Sequence, residues 1–147
     1  EDNDGRKFQL RGVPDIVIKF KNKNDGYGII DFKTTNLSNT KSDNYKYQLE
    51  AYAQIFKKPG ATKTASTPKL SPITHMGVLQ FFPEKIFKHQ ISDCDLKMQM
   101  SYSPLKRNEE DFFKHISNLI NFLEQEKAPD FNSNCNYCKF VQGQFNL

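Results

Sequence analysis

GVPDIVIKF (residues 12–20) and GYGIIDFKTT (residues 26–35) decide how this chain folds. The first is rich in Val and Ile and the second carries Ile29-Ile30, and the polar segment between them ends in Asn24-Asp25-Gly26, a strong turn signal. The pattern predicts an antiparallel hairpin of strands Val13–Phe20 and Tyr27–Thr34, with Phe20 opposite Tyr27 or Gly28. Asp15 then falls opposite positions 31 to 33. Side chains alternate faces along a strand, so Asp31 and Lys33 share one face above Ile29. Cross-strand neighbours are about 4.5–5.5 Å apart, so Asp15 joins them if the register sets it on that face, which is the expectation.

Two carboxylates and an ammonium among apolar residues are costly to bury unless they are paired or hold a metal. A hard divalent ion such as Mg²⁺ or Mn²⁺ takes oxygen ligands and keeps several waters. Asp15, Asp31 and the backbone carbonyl of Phe32 are the candidate metal ligands. An ion held there would polarise a phosphodiester and acidify a bound water, and Lys33 would orient that water or stabilise the transition state. A second acidic-x-Lys, Asp95-Leu96-Lys97, follows no apolar run and reads as a solvated strand edge.

A helix is expected from about Asn44 to Lys57. Tyr45, Leu49, Tyr52, Ala53 and Phe56 form its apolar stripe. Ser42, Asp43 and Asn44 are its N-cap candidates, and Pro59-Gly60 ends it. Gln48 and Tyr52, four apart, share one face. Their amide and hydroxyl could bind a phosphate or steady a metal ligand.

In the order GVPD, IIDFK, QLEAY, the chain resembles the PD-(D/E)XK nuclease superfamily, in particular its RecB-like branch. That branch's Gly-x-x-Asp strand, (Asp/Glu)-x-Lys strand and Gln-x-x-x-Tyr helix are matched by Gly12/Asp15, Asp31/Lys33 and Gln48/Tyr52. The resemblance implies metal binding by Asp15 and Asp31, catalysis by Lys33, and assistance at the substrate from Gln48 and Tyr52. Arg11, beside the first motif, joins Gln48 and Tyr52 as a candidate DNA contact. Many members of the branch carry a helix before the first strand, with a Glu or His that completes the metal site. Only EDNDGRK stands there, and the chain begins without Met, so a piece of a longer protein is expected. Cys135-x-x-Cys138 is similar to the C-terminal cysteines of iron–sulphur members, but a cluster normally needs four thiolates. With three cysteines in the chain, neither a cluster nor a disulfide is expected. The pair is expected instead to pack with Tyr137 and Phe140.

At 147 residues and 37% hydrophobic content, the chain fits a single domain (residues 1–147, with a C-terminal tail from 129). No run is long and apolar enough to span a membrane. The absence of a signal peptide and the scarcity of cysteine suggest a cytoplasmic setting. A net charge of +4 suits nucleic acid. Lys57, Lys58, Lys63, Lys69, Lys85, Lys88, Lys106 and Arg107 are the candidate phosphate contacts. A loop over residues 57–72 is expected to cross the DNA-binding face. Further strands are expected at Ile73–Phe82 and Lys88–Met100. An amphipathic helix of Phe112, Phe113, Ile116, Leu119, Ile120 and Leu123 follows, its stripe covering one sheet face. His75 is the best placed of three scattered histidines to ligate a metal.

These readings converge on an α/β, restriction-endonuclease-like core, a mixed, mostly antiparallel sheet of four to five strands flanked by helices. The expected activity is Mg²⁺- or Mn²⁺-dependent, exonuclease-type hydrolysis of single- or double-stranded DNA in recombination, repair or phage replication, with a helicase or recombination partner. The alternative is a nuclease fold kept only to bind DNA or a protein.

Overall fold

The computed structural model describes residues 5–22, 26–34, 45–60, 66–90, 93–127, 130, 132 and 134–145. The expected turn at Asn24-Asp25 and the N-cap candidates Ser42, Asp43 and Asn44 lie outside these residues. The order of elements is β1 (Ile16–Lys19), β2 (Tyr27–Thr34), α1 (Lys46–Lys57), β3 (Ile73–Gln90), β4 (Asp93–Leu105), α2 (Glu109–Leu123) and α3 (Asn136–Phe145). The strands form one mixed sheet in the order β1-β2-β3-β4. β1 and β2 are antiparallel, β2 and β3 parallel, and β3 and β4 antiparallel.

β2 spans the expected residues, whereas β1 is shorter than Val13–Phe20. Their pairing runs from Ile16↔Ile30 to Lys19↔Tyr27. Phe20 N–H donates to Gly26 O at 3.1 Å, so Phe20 opposes Gly26 rather than Tyr27 or Gly28. Gly26 has φ +67°, and a Cβ there would lie 2.4 Å from the Pro72 carbonyl oxygen. Only glycine suits both demands.

The later strands differ more. β3 runs from Ile73 through to Gln90, and β4 begins at Asp93, so the expected boundaries at Phe82 and Lys88 are replaced by two long paired strands. β3 crosses Pro83 because its pairing to β2 ends at Thr34↔Phe81. Beyond that point, among the described residues, β4 alone is paired with it, and proline is tolerated where a strand has an unpaired edge. The pairing shifts register between Pro83 and Lys85. Asp95-Leu96-Lys97 lies on β4, the outer strand, and Lys97 pairs with Glu84 at 2.9 Å with both side chains largely exposed.

One face of the sheet carries the core. Ile29, Ile73, Met76 and Val78 pack against Leu49, Tyr52, Ala53 and Phe56 of α1. The helix forms because good helix formers flank an apolar stripe at i, i+3, i+4, i+7. Pro59 then stops it, with Lys58 N–H closing onto Gln54 O at 3.0 Å. Burying a side chain such as Leu49 contributes about 1.5–3 kcal/mol.

α2 does not cover the sheet as its stripe suggested. It packs against α1 and the N-terminal segment. Asn108 caps it, accepting Asp111 N–H at 3.0 Å. Its acidic first turn answers cations of α1: Lys57 meets Glu109 at 2.7 Å and Lys46 meets Asp111 at 2.9 Å. Arg6 holds Asn121 and Glu124, and Phe8 packs near Phe113. Phe112 is buried, but Leu119, Phe122 and Leu123 stay exposed. A third helix, α3, occupies the region read as a plain tail.

Candidate active site

The first two motifs meet at the junction of β1 and β2. Extending the Ile16↔Ile30 pairing by one residue sets Asp15 opposite Asp31, on the same face of the hairpin. At that point β1 has ended, and the Asp15 side chain takes over: its Oδ2 accepts the Phe32 N–H at 2.6 Å. The N–H and C=O of one strand residue leave the backbone on the same side. The Phe32 carbonyl therefore also faces the Asp15 edge. Its side chain lies on the opposite face, against Phe81 with ring centroids 5.5 Å apart.

Asp31 is 3% exposed. Lys33, two residues along the same face, places Nζ 2.5 Å from Asp31 Oδ2. The contact is a short, charge-assisted ion pair that occupies this buried oxygen. Burial alone would pull the Lys33 ammonium down. Asp31 beside it, with Tyr52 and Tyr45 further off, outweighs this and holds its pKa above the ordinary lysine value. Lys33 also lies 5.1 Å from the centroid of the Tyr45 ring, a cation–π contact.

α1 brings the third motif to the same place. Gln48 Nε2 donates to Tyr52 Oη at 2.7 Å. The Tyr52 ring rests on Gly12, where an added Cβ would come within 2.5 Å of Cε1. The Gly-x-x-Asp and Gln-x-x-x-Tyr motifs thus share a contact, and glycine is needed for closeness rather than for an unusual φ.

The donor set around Asp15 and Asp31 is all oxygen, which suits a hard divalent cation. A buried carboxylate with a second carboxylate beside it is the feature such an ion would neutralise. Among the described residues no three His, Cys, Asp or Glu side chains converge. Two carboxylates are therefore what these side chains offer, with a main-chain carbonyl and water to complete the shell.

Other expected residues stand elsewhere. Arg11 is exposed, and its guanidinium donates to Gln9 Oε1 at 3.4 Å. His75 pairs in register with Gly28, on the face away from Asp31, and packs on Phe20 at 4.8 Å. Of the basic set, Lys57 and Arg107 are engaged by Glu109 and Glu50, whereas Lys58, Lys69 and Lys106 are exposed. Lys63 and the side chain of Lys88 lie outside the described residues. Cys138 N–H donates to Cys135 Sγ at 3.1 Å. Hydrogen bonding from Cys138 lowers the Cys135 pKa and in turn raises that of Cys138. Tyr137 and Phe140, the expected packing partners of the pair, are 75% and 62% exposed.

Two neighbours of the site escaped the sequence reading. Tyr45 appeared only as part of the apolar stripe. Gln80 pairs in register with Lys33, is 1% exposed, and leaves Nε2 without a partner while its Oε1 accepts from Ser103. A glutamine inside the apolar run ITHMGVLQFF was its only signal.

The family model of the PD-(D/E)XK nuclease superfamily matches residues 2–142. The chain belongs to this superfamily. The shared contact of Gly12 with Tyr52 and the pairing of Asp31 with Lys33 are thus features of a PD-(D/E)XK domain. No curated protein and no solved structure matches the chain. Among the described residues no helix is long and apolar enough to cross a membrane.

Proposed function

We propose that this PD-(D/E)XK domain is a Mg²⁺- or Mn²⁺-dependent deoxyribonuclease of the RecB-like kind. Exonuclease-type cleavage in recombination, repair or phage replication, beside a helicase or recombination partner in the cytoplasm, completes the reading. The observation that carries it is the buried Asp31 carboxylate paired with Lys33, with Asp15 fastened to Phe32 beside it.

Asp15, Asp31 and the Phe32 carbonyl would hold the cation. When bound, it neutralises phosphate charge and lowers the pKa of a coordinated water. Lys33, kept protonated by Asp31, acts as a fixed cation that stabilises charge growing on the phosphoryl oxygens. Gln48, with Nε2 held by Tyr52, is oriented to bond a phosphate oxygen or the attacking water. Arg11 and the exposed lysines add phosphate contacts that do not read sequence.

The test is cleavage of end-labelled DNA with Mg²⁺, with Mn²⁺ and with chelator. Asp31→Asn and Lys33→Ala should each lower the rate at least about a hundredfold, with the fold checked by circular dichroism. Cleavage that survives both substitutions, or that needs no divalent ion, would refute the assignment.

A further inference from the structure

β3 sets an uncharged amide beside the Asp31–Lys33 pair. Gln80 is 1% exposed and pairs in register with Lys33 across β2 and β3. Residues paired in this way stand on one face of the sheet, so Gln80 shares the α1 side with Asp31 and Lys33. Among the described residues its Nε2 has no hydrogen-bonding partner. A leucine would fill the same space without burying a polar group, and an unanswered buried donor weighs against folding.

Where that donor is aimed follows from the pairing of three strands. Val78 has Asp31 of β2 on one side and Ser103 of β4 on the other. Gln80, two residues on, stands between Lys33 and Ser101. Its Oε1 nevertheless accepts from Ser103 Oγ at 3.3 Å, so the side chain leans back over Val78 to the level of Asp31. Lys33 leans back the same way to pair with Asp31 Oδ2. The two ends of an amide diverge, so an Oε1 held by β4 turns Nε2 away from β4, to the side where Asp31 stands.

We propose that Gln80 is a positioning residue for Asp31: its Nε2 donates to the Asp31 carboxylate when that carboxylate ligates a divalent cation. Metal-binding carboxylates are themselves held by hydrogen bonds from behind, and losing such a partner weakens metal binding about 10–100-fold. A carboxylate accepts several hydrogen bonds, so Lys33 and Gln80 hold Asp31 from two sides, and Ser103 fixes the amide in turn. An amide suits the place because it orients Asp31 without adding charge. A third carboxylate would repel Asp15 and Asp31, and a second ammonium would compete with the cation. The inference rests on the metal-dependent reading above and adds a residue that lies in none of the three motifs.

The test is Mn²⁺ binding to the DNA-free protein by titration calorimetry, beside urea unfolding. Gln80→Leu should raise the Kd for Mn²⁺ about tenfold while its unfolding midpoint stays level or rises, because the unanswered donor is gone. Cleavage by this variant should fall at limiting Mn²⁺ and recover when Mn²⁺ is raised about tenfold, a shift that a merely structural residue would not produce. In an Asp31→Asn background, Gln80→Leu should weaken Mn²⁺ binding no further. Ser103→Ala, at a half-buried position, loosens the amide, should raise the Kd about threefold, and decides the matter if Gln80→Leu does not fold. An unchanged Kd in the folded variant, or equal weakening with and without the Asp31 carboxylate, overturns the proposal and leaves the nuclease reading in place. A wild-type protein that binds Mn²⁺ through Asp31 yet cuts no DNA overturns the nuclease reading alone, and one that binds no Mn²⁺ overturns both.

Discussion

Asp15 Oδ2 accepts the backbone N–H of Phe32 at 2.6 Å, between the two residues of the Asp31-x-Lys33 pair. One carboxylate thus continues the β1–β2 ladder where the β1 backbone leaves it, and also brings negative charge beside Asp31. Asp15→Asn keeps the acceptor oxygen and removes the charge. It should leave stability within about 0.5 kcal/mol while lowering Mg²⁺-dependent cleavage about a hundredfold. Asp15→Ala loses the hydrogen bond as well and should unfold at lower denaturant, by about 1 kcal/mol. Paired urea titrations and rate measurements separate the two roles.

Gly12→Ala tests the coupling of the first and third motifs. The new methyl would come within 2.5 Å of Tyr52 Cε1, and Tyr52 is 8% exposed among core neighbours. The ring must shift, at a cost of about 1–3 kcal/mol, and the Gln48 bond shifts with it. Thermal unfolding should show the loss, and Tyr52→Phe in the same background should add less than it does alone.

Arg107→Ala should act on stability rather than on DNA affinity. Arg107 bonds the buried Glu50 at 2.6 Å and the Ile73 carbonyl at 3.1 Å. Glu50 is 2% exposed and also accepts from Gln54 and from Asn108 N–H. Removing the guanidinium strands a buried carboxylate and should cost about 3 kcal/mol. DNA binding measured on the folded fraction should be unchanged, in contrast to Lys58→Ala or Lys69→Ala, which should weaken it and flatten its salt dependence.

The α1–α2 ion pairs set a pH dependence. Hydrogen bonding from Lys57 lowers the Glu109 pKa, and that from Lys46 lowers the Asp111 pKa. Their stabilisation is present above the ordinary carboxylate range and is lost as pH falls through the lowered values. Lys46 is raised in turn, chiefly by its hydrogen bond to Asp111, so its share holds below the ordinary lysine value and fades only as pH rises past it. The pairs are exposed, so the effect is small. Melting curves should drop more steeply below about pH 4 in the wild type than in Glu109→Gln/Asp111→Asn.

The hairpin could be read from residues because it is local. Ile29, Ile30 and the aromatic residues around them made β2, and strand period alone put Asp31 beside Lys33. The Phe20 register was missed by a residue or two, since the pairing depends on how Gly26 meets Pro72, a contact between distant segments. β3 was cut short at Phe82 because Pro83-Glu84-Lys85 breaks the apolar pattern, and a sequence does not show that β2 has already ended there. Lys57 and Arg107 looked like free phosphate ligands because their partners, Glu109 and Glu50, lie 52 and 57 residues away.

By itself, then, the sequence determined the β1–β2 pair, α1, and which carboxylates and ammonium share a strand face, because those depend on backbone periods and nearest neighbours. Tertiary structure alone decided that α2 lies on α1 rather than on the sheet, that Tyr52 sits on Gly12, and that Gln80 stands beside Lys33. An apolar stripe or a polar side chain specifies that it must be covered or paired, and only the assembled fold supplies the partner.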